Sequence, residues 1–178
     1  LSTRLPIDGI PRGRSVHLLA YFPSQPPRQE FGEWLEGIRT GRRDRNRLML
    51  ERLRRLGVEI EFGELRMAAA HMIGRPHFAR ILVEKGYARS YDEAFRKYLG
   101  EGAPGYVQRD EPYIADAISM VRQAGGVTSL AHPIRVRTDG TPGLESIVGG
   151  LAEAGLTAIE VYHSDHSSNH SAEYFELA

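Results

Sequence analysis

Apolar positions along the chain follow two periods, one strand-like and one helical. Ser15-Val16-His17-Leu18-Leu19-Ala20-Tyr21-Phe22 is a β-compatible run bounded by Gly13 and Pro23. From Phe31 the period becomes helical: Phe31, Trp34, Leu35 and Ile38 fall at i, i+3, i+4 and i+7, and Met49, Leu53 and Leu56 keep the phase. Gly41 is the point for a bend or break in that helix, and Gly57 ends it. A helical region follows from Phe62 to about Leu99, with Phe78, Ile81 and Leu82 as one apolar face and Gly86 as a C′ residue. Ser90 and Glu93 form a capping box, after which Tyr91, Ala94, Phe95, Tyr98 and Leu99 supply a buried stripe. Gly100 to Arg109 reads as an irregular loop.

From Pro112 helix and strand alternate. Pro112 suits a first helical turn, and Ile114, Ala117, Ile118 and Val121 face a core. Gly125-Gly126 then leads into Val127-Thr128-Ser129-Leu130-Ala131, a strand that Pro133 stops because it has no N–H to donate. A βα loop from Arg135 to Gly143 precedes a helix bearing Leu144, Ile147, Val148 and Leu151. Gly149 and Gly150 in that helix point to close packing on a sheet, since each costs about 1 kcal/mol against alanine. Ala158 to Tyr162 is the next strand, and Ser168 opens a last helix. Strand, helix, strand, helix at this spacing predicts βαβ units and a parallel sheet or barrel. Leu1 to Arg14, with turn markers Pro6, Gly9, Pro11 and Gly13, reads as a link from an upstream strand.

Composition narrows the function classes. With 41% hydrophobic residues and zero formal net charge, the chain buries a core and has no overall field to recruit nucleic acid or an anionic membrane. All but two of the 23 basic residues are arginine, and a run from Arg39 to Arg55 reads as a solvated helix face, with nucleic-acid contact as the alternative. No cysteine is present, so any metal site uses His, Asp and Glu. No apolar run approaches the ~20 residues of a membrane span, and no signal peptide is evident, so a cytoplasmic location is expected.

Four places carry candidate chemistry. His17 lies inside an apolar strand, costly unless the ring is hydrogen-bonded or ligated. His132 stands at the carboxyl end of a strand, where α/β folds collect ligands, as either a ligand or a strand cap. His163, Asp165 and His166 follow a third strand, as ligands or as a hydrogen-bonded turn or substrate contact. Arg75 and His77 flank a helix start at Pro76, where free amides and a guanidinium favour phosphate; the alternative is two solvated side chains.

In this order, Val16-His17-Leu18-Leu19-Ala20-Tyr21, Gly74-Arg75-Pro76-His77, Leu130-Ala131-His132-Pro133 and Ile159-Glu160-Val161-Tyr162-His163-Ser164-Asp165-His166 resemble the PHP (polymerase and histidinol phosphatase) superfamily, in its TrpH or RNase AM-like branch. The resemblance implies part of a distorted (β/α)7 barrel, with segments 1–23 and 112–178 in the barrel and 24–111 as a helical insertion covering the active site. It implies a metal-dependent phosphoesterase acting on 3′,5′-nucleoside bisphosphates or short 5′-phosphorylated RNA through metal-activated water. His17 and His132 match metal ligands. Arg75 and His77 match the motif that meets substrate phosphate, and His163, Asp165 and His166 match a motif expected to contact substrate or support the site. Divalent ions are implied, Mn²⁺ first, with Mg²⁺, Zn²⁺ or Fe²⁺ as alternatives. A small nucleotide or short RNA is the expected partner, with no membrane and no obligate protein partner. The family's HxH motif is expected upstream of Leu1 and its DxH motif downstream of Ala178, making this chain an internal part of the domain. The rival readings are a metal-free scaffold or nucleic-acid-binding module, and an amidohydrolase-type metal hydrolase.

Overall fold

A computed structural model describes residues 1–5, 15–69, 72–136 and 143–178. It forms two compact units, Leu1–Leu35 with Glu111–Ala178, and Glu36–Asp110. The turn markers from Pro6 to Gly13 and most of the 135–143 loop lie outside the described residues.

The first unit holds a four-stranded sheet of β1 (Ser2–Arg4), β2 (Ser15–Tyr21), β3 (Val127–Leu130) and β4 (Ala158–Ile159), in that spatial order. β2 runs antiparallel to both β1 and β3, and β3 and β4 are parallel. The βαβ unit expected after Pro112 is present as β3, a helix and β4, and the expectation of parallel pairing is corrected for β2. Three strands are joined by antiparallel pairing, and the parallel pair is bridged by α6 (Leu144–Glu153). A parallel neighbour requires such a crossover; antiparallel pairing imposes no such demand. Ser2–Arg4 is also a strand rather than a link, paired through Ser2 with His17 and Thr3 with Val16. The buried Thr3 hydroxyl donates to the Val16 carbonyl at 3.2 Å.

Along β2, Val16 and Leu18 are buried while His17 between them is exposed, the alternation of a sheet with one solvated face. Val16 and Leu18 pack with Leu130, with Ile114, Ala117 and Ile118 of α5 (Ile114–Gln123), and with Ile147, Val148 and Leu151 of α6. Pro112 lies outside α5, its carbonyl accepting the Arg4 N–H at 2.9 Å. Gly149 and Gly150 have nothing within 4 Å of an added Cβ. They face solvent, so close packing on the sheet is not their reason for being glycine. The pair before β3 is different. Gly125 has φ +86°, and a Cβ on Gly126 would lie 2.7 Å from a Phe22 ring carbon and 2.9 Å from the Tyr21 carbonyl oxygen.

The second unit is helical. α1 (Gln29–Arg55) enters it and continues through Gly41 without a break, and Leu56 beyond its end is exposed rather than in the core. α2 (Phe62–Ala68), α3 (Arg75–Glu84) and α4 (Tyr91–Ala94), which runs into a π-helical turn at Phe95–Leu99, enclose Met49, Leu53, Leu65, Phe78, Leu82 and Leu99. The π turn shifts the side-chain phase, which leaves Tyr91 exposed while Tyr98 and Leu99 are buried. Ser90 caps α4 through the Glu93 N–H as expected, but Glu93 reaches back to Arg89 rather than to Ser90.

Candidate metal and phosphate-binding residues

Sheet register brings His17 and His132 together. Leu18 pairs with Leu130, and the Ala131 N–H donates to the His17 carbonyl at 2.9 Å. A regular strand would turn residue 132 toward the same core face as Leu130. His132 instead has φ +32°, the one non-glycine positive φ among the described residues. Such a conformation is costly for a residue with a Cβ and persists only where its surroundings hold it. Here the turn ends β3 and sets the His132 ring against His17, with His132 Nε2 and His17 Nδ1 3.1 Å apart.

The strained backbone has an anchor. Glu160, just past β4, accepts the His132 N–H through Oε2 at 2.6 Å, and its own N–H donates to the Leu130 carbonyl at 2.9 Å. Glu160 was not among the residues singled out by sequence. The signal was present, because a carboxylate between Ile159 and Val161 interrupts an apolar run as His17 does in its own strand.

The rings continue as a row. His132 and His163 are 5.4 Å apart between centroids, His163 and His166 5.4 Å, and His166 and Tyr174 of α7 (Ser168–Leu177) 5.0 Å. His163, Asp165 and His166 form a turn bonded within itself: the Asp165 N–H donates to His163 Nδ1 at 3.1 Å and the His166 N–H to the His163 carbonyl at 3.0 Å. Arg135 grips the Asp165 carboxylate, with Nε at 2.8 Å from Oδ2. Hydrogen bonding from Arg135, helped by the nearby charges of Arg135, His163 and His132, holds that carboxyl below the usual aspartate range. His166 Nδ1 lies 2.8 Å from the Val161 carbonyl, so Nδ1 carries the proton and Nε2 carries the lone pair. His166 Nε2 and His132 Nδ1 are both buried without a hydrogen-bond partner.

A divalent ion can be tested against this geometry. Tetrahedral bonds of 2.0–2.1 Å put ligand nitrogens about 3.3 Å apart, close to the spacing of His17 and His132. The pair therefore fits two positions of a metal site. No group of three His, Asp or Glu side chains placed to hold an ion is assembled among the described residues.

Arg75 and His77 open α3 in the helical unit. His77 Nδ1 accepts the Gly74 N–H at 3.0 Å, capping its own helix, which leaves Nε2 to carry the proton and donate outward. The Arg75 guanidinium lies over the Tyr106 ring at 5.5 Å and the Phe95 ring at 5.9 Å, and points Nη1 at the Leu99 carbonyl at 3.5 Å. No carboxylate among the described residues pairs with it.

No family model matches the chain. It is 36% identical over 157 residues to the 3′,5′-nucleoside bisphosphate phosphatase of Chromobacterium violaceum, covering 86% of this chain and 54% of that protein. It is 36% identical over 138 residues to the 5′-3′ exoribonuclease Rnm of Escherichia coli (strain K12), covering 77% of this chain and 47% of the relative. The chain thus spans about half the length of these curated relatives. A solved amidohydrolase from Chromobacterium violaceum, with bound sulfate and no metal, superposes with a TM-score of 0.75 at 30% identity over 99% of this chain and 61% of its own. With four motifs in the order of that family and relatives of this kind, the chain belongs to the PHP superfamily.

Proposed function

We propose that this chain is part of a metal-dependent phosphoesterase that hydrolyses nucleotide phosphoesters, with a 3′,5′-nucleoside bisphosphate or short 5′-phosphorylated RNA as substrate. The observation that carries the reading is the His17–His132 pair, built by register across two strands and held by a left-handed turn that Glu160 anchors. The named activities of the relatives, a bisphosphate phosphatase and an exoribonuclease, support the substrate class.

His17 and His132 hold a divalent ion in this proposal, Mn²⁺ first, and Glu160 positions His132 through its backbone. An ion held there would supply an acidified water and would draw charge from a phosphoryl oxygen. The protein's own part is orientation and charge. The Arg75 fork and the His77 Nε2–H bind and orient phosphate, and both meet the negative charge that builds on its oxygens. Arg135 keeps Asp165 ionised, and the turn bearing His163, Asp165 and His166 is proposed to contact substrate or support the metal-holding rings. The barrel architecture and a cytoplasmic location remain part of the proposal; no helix among the described residues is long and apolar enough to cross a membrane.

A second reading is metal-dependent amide hydrolysis, favoured by the amidohydrolase name of the superposed structure. The intact protein assayed with Mn²⁺ on nucleoside bisphosphates and on amides separates the two. Phosphate release without amide cleavage is expected; amide cleavage alone would replace the proposal.

A further inference from the structure

Arg54 and Arg80 of the helical unit are each held by a carboxylate, Glu61 at 3.0 Å and Glu84 at 2.8 Å. Arg75 is held differently. Its guanidinium meets the rings of Tyr106 at 5.5 Å and Phe95 at 5.9 Å, both within the range of a cation–π contact. Its Nη1 approaches the Leu99 carbonyl at 3.5 Å. All four residues belong to the one unit Glu36–Asp110. The difference matters for an anion. A carboxylate partner neutralises a guanidinium and competes with phosphate for its N–H fork. Aromatic faces and a carbonyl hold the side chain but leave a ligand its whole charge and the N–H groups that Leu99 does not take.

Two close backbone approaches build this seat. The chain winds into the π turn Phe95–Leu99, closed by the Gly100 N–H donating to the Phe95 carbonyl at 2.6 Å. Such turns are rare and frequently mark functional sites. A Cβ on Gly100 would lie 2.8 Å from the Phe95 carbonyl oxygen, so the closure needs glycine. Gly105 serves the second ring. A Cβ there would lie 2.6 Å from the Tyr98 carbonyl oxygen and 2.9 Å from Leu53 Cδ2. Glycine thus lets the loop press back on the π turn and bring Tyr106 to the same guanidinium. The Tyr106 backbone is fastened on both sides, its N–H donating to the Ala103 carbonyl at 2.9 Å and its carbonyl accepting from Arg52. Phe95 also packs on the helical core, whereas Tyr106 is half-buried outside that cluster.

We infer that Phe95 and Tyr106 are positioning residues for Arg75: their rings, with the Leu99 carbonyl, fix the guanidinium in the orientation that meets substrate phosphate. A free arginine gives up its rotamer freedom when it grips an anion; a seated one has already given it up in folding. This rests on the proposed role of Arg75 and adds to it two residues whose sequence positions read only as a buried stripe and an irregular loop.

The test is a double-mutant cycle on binding, read by isothermal titration of adenosine 3′,5′-bisphosphate into the intact protein in EDTA, so that no turnover intervenes. Arg75→Ala is expected to weaken binding about 10–100-fold. Tyr106→Leu, which removes the ring and keeps apolar bulk, weakens it about three- to tenfold, and Tyr106→Phe leaves it unchanged. In the Arg75→Ala background Tyr106→Leu changes binding by less than about twofold, because a ring that acts through Arg75 has nothing left to position. Phe95→Leu, which also loses core packing, is judged by the same cycle rather than by its Tm. A loss that persists in the Arg75→Ala background puts the ring's effect elsewhere and overturns the inference, as does a Tyr106→Leu variant that binds like the wild type. A wild type that does not bind, or Arg75→Ala binding undiminished, withdraws Arg75 from the phosphate site and overturns the inference with it. Hydrolysis with Mn²⁺ is measured separately, so each of these results is distinct from failure of the phosphoesterase proposal.

Discussion

His132 and Glu160 are coupled by a 2.6 Å hydrogen bond across the β3–β4 edge. The backbone at His132 stays in its left-handed conformation because Glu160 accepts its N–H. In the proposed site, His132→Ala lowers the metal content of the protein; unchanged stoichiometry by elemental analysis would remove His132 as a ligand. Glu160→Ala acts one step back, through orientation, and is expected to weaken metal affinity by about 10–100-fold in isothermal titration. Asp165 offers a pH test. Its carboxyl is held low chiefly by the Arg135 hydrogen bond, so its contribution to stability is present above the unfolded aspartate pKa and lost as pH falls through the lower folded value. Arg135→Gln should raise the Asp165 pKa in a carbonyl NMR titration, and an unmoved titration would mean the ion pair does not persist in solution. The candidate histidines were legible because imidazole is out of place in an apolar strand or at its proline-stopped end. Their mutual geometry was not, because a positive φ at a non-glycine residue leaves no trace in hydrophobic periodicity.

At the scale of elements, helices were read with more success than strand direction. Ile114, Ala117, Ile118 and Val121 are buried as their spacing requires, and so are Phe78, Ile81 and Leu82. β2 has the composition of a strand but nothing in it encodes direction, and the βα rhythm downstream suggested parallel pairing where β1, β2 and β3 are antiparallel. The three residues of β1 were too short to show a period. Glycine behaviour also depends on what lies opposite, which is a property of packing. Gly126→Ala is expected to destabilise by about 1–3 kcal/mol, since its Cβ would meet the Tyr21 carbonyl and the Phe22 ring. Gly149→Ala and Gly150→Ala enter open space on a helix and should each stabilise by about 0.5–1 kcal/mol. Chemical denaturation of the three variants checks both signs; a destabilised Gly149→Ala would show that α6 is covered in the folded protein.

For the whole molecule, α1 continues unbroken past Gly41 into the helical unit. The histidine row and the Arg75 seat belong to different units, each assembled by its own core. The order of motifs made the superfamily legible from sequence. The central claim remains that the protein's chemistry is metal-dependent phosphoester hydrolysis. Phosphate release from a 3′,5′-nucleoside bisphosphate by the intact protein, measured with Mn²⁺ and again in excess EDTA, tests it most directly. The account predicts turnover with the metal and its loss on chelation; undiminished turnover in EDTA would contradict it.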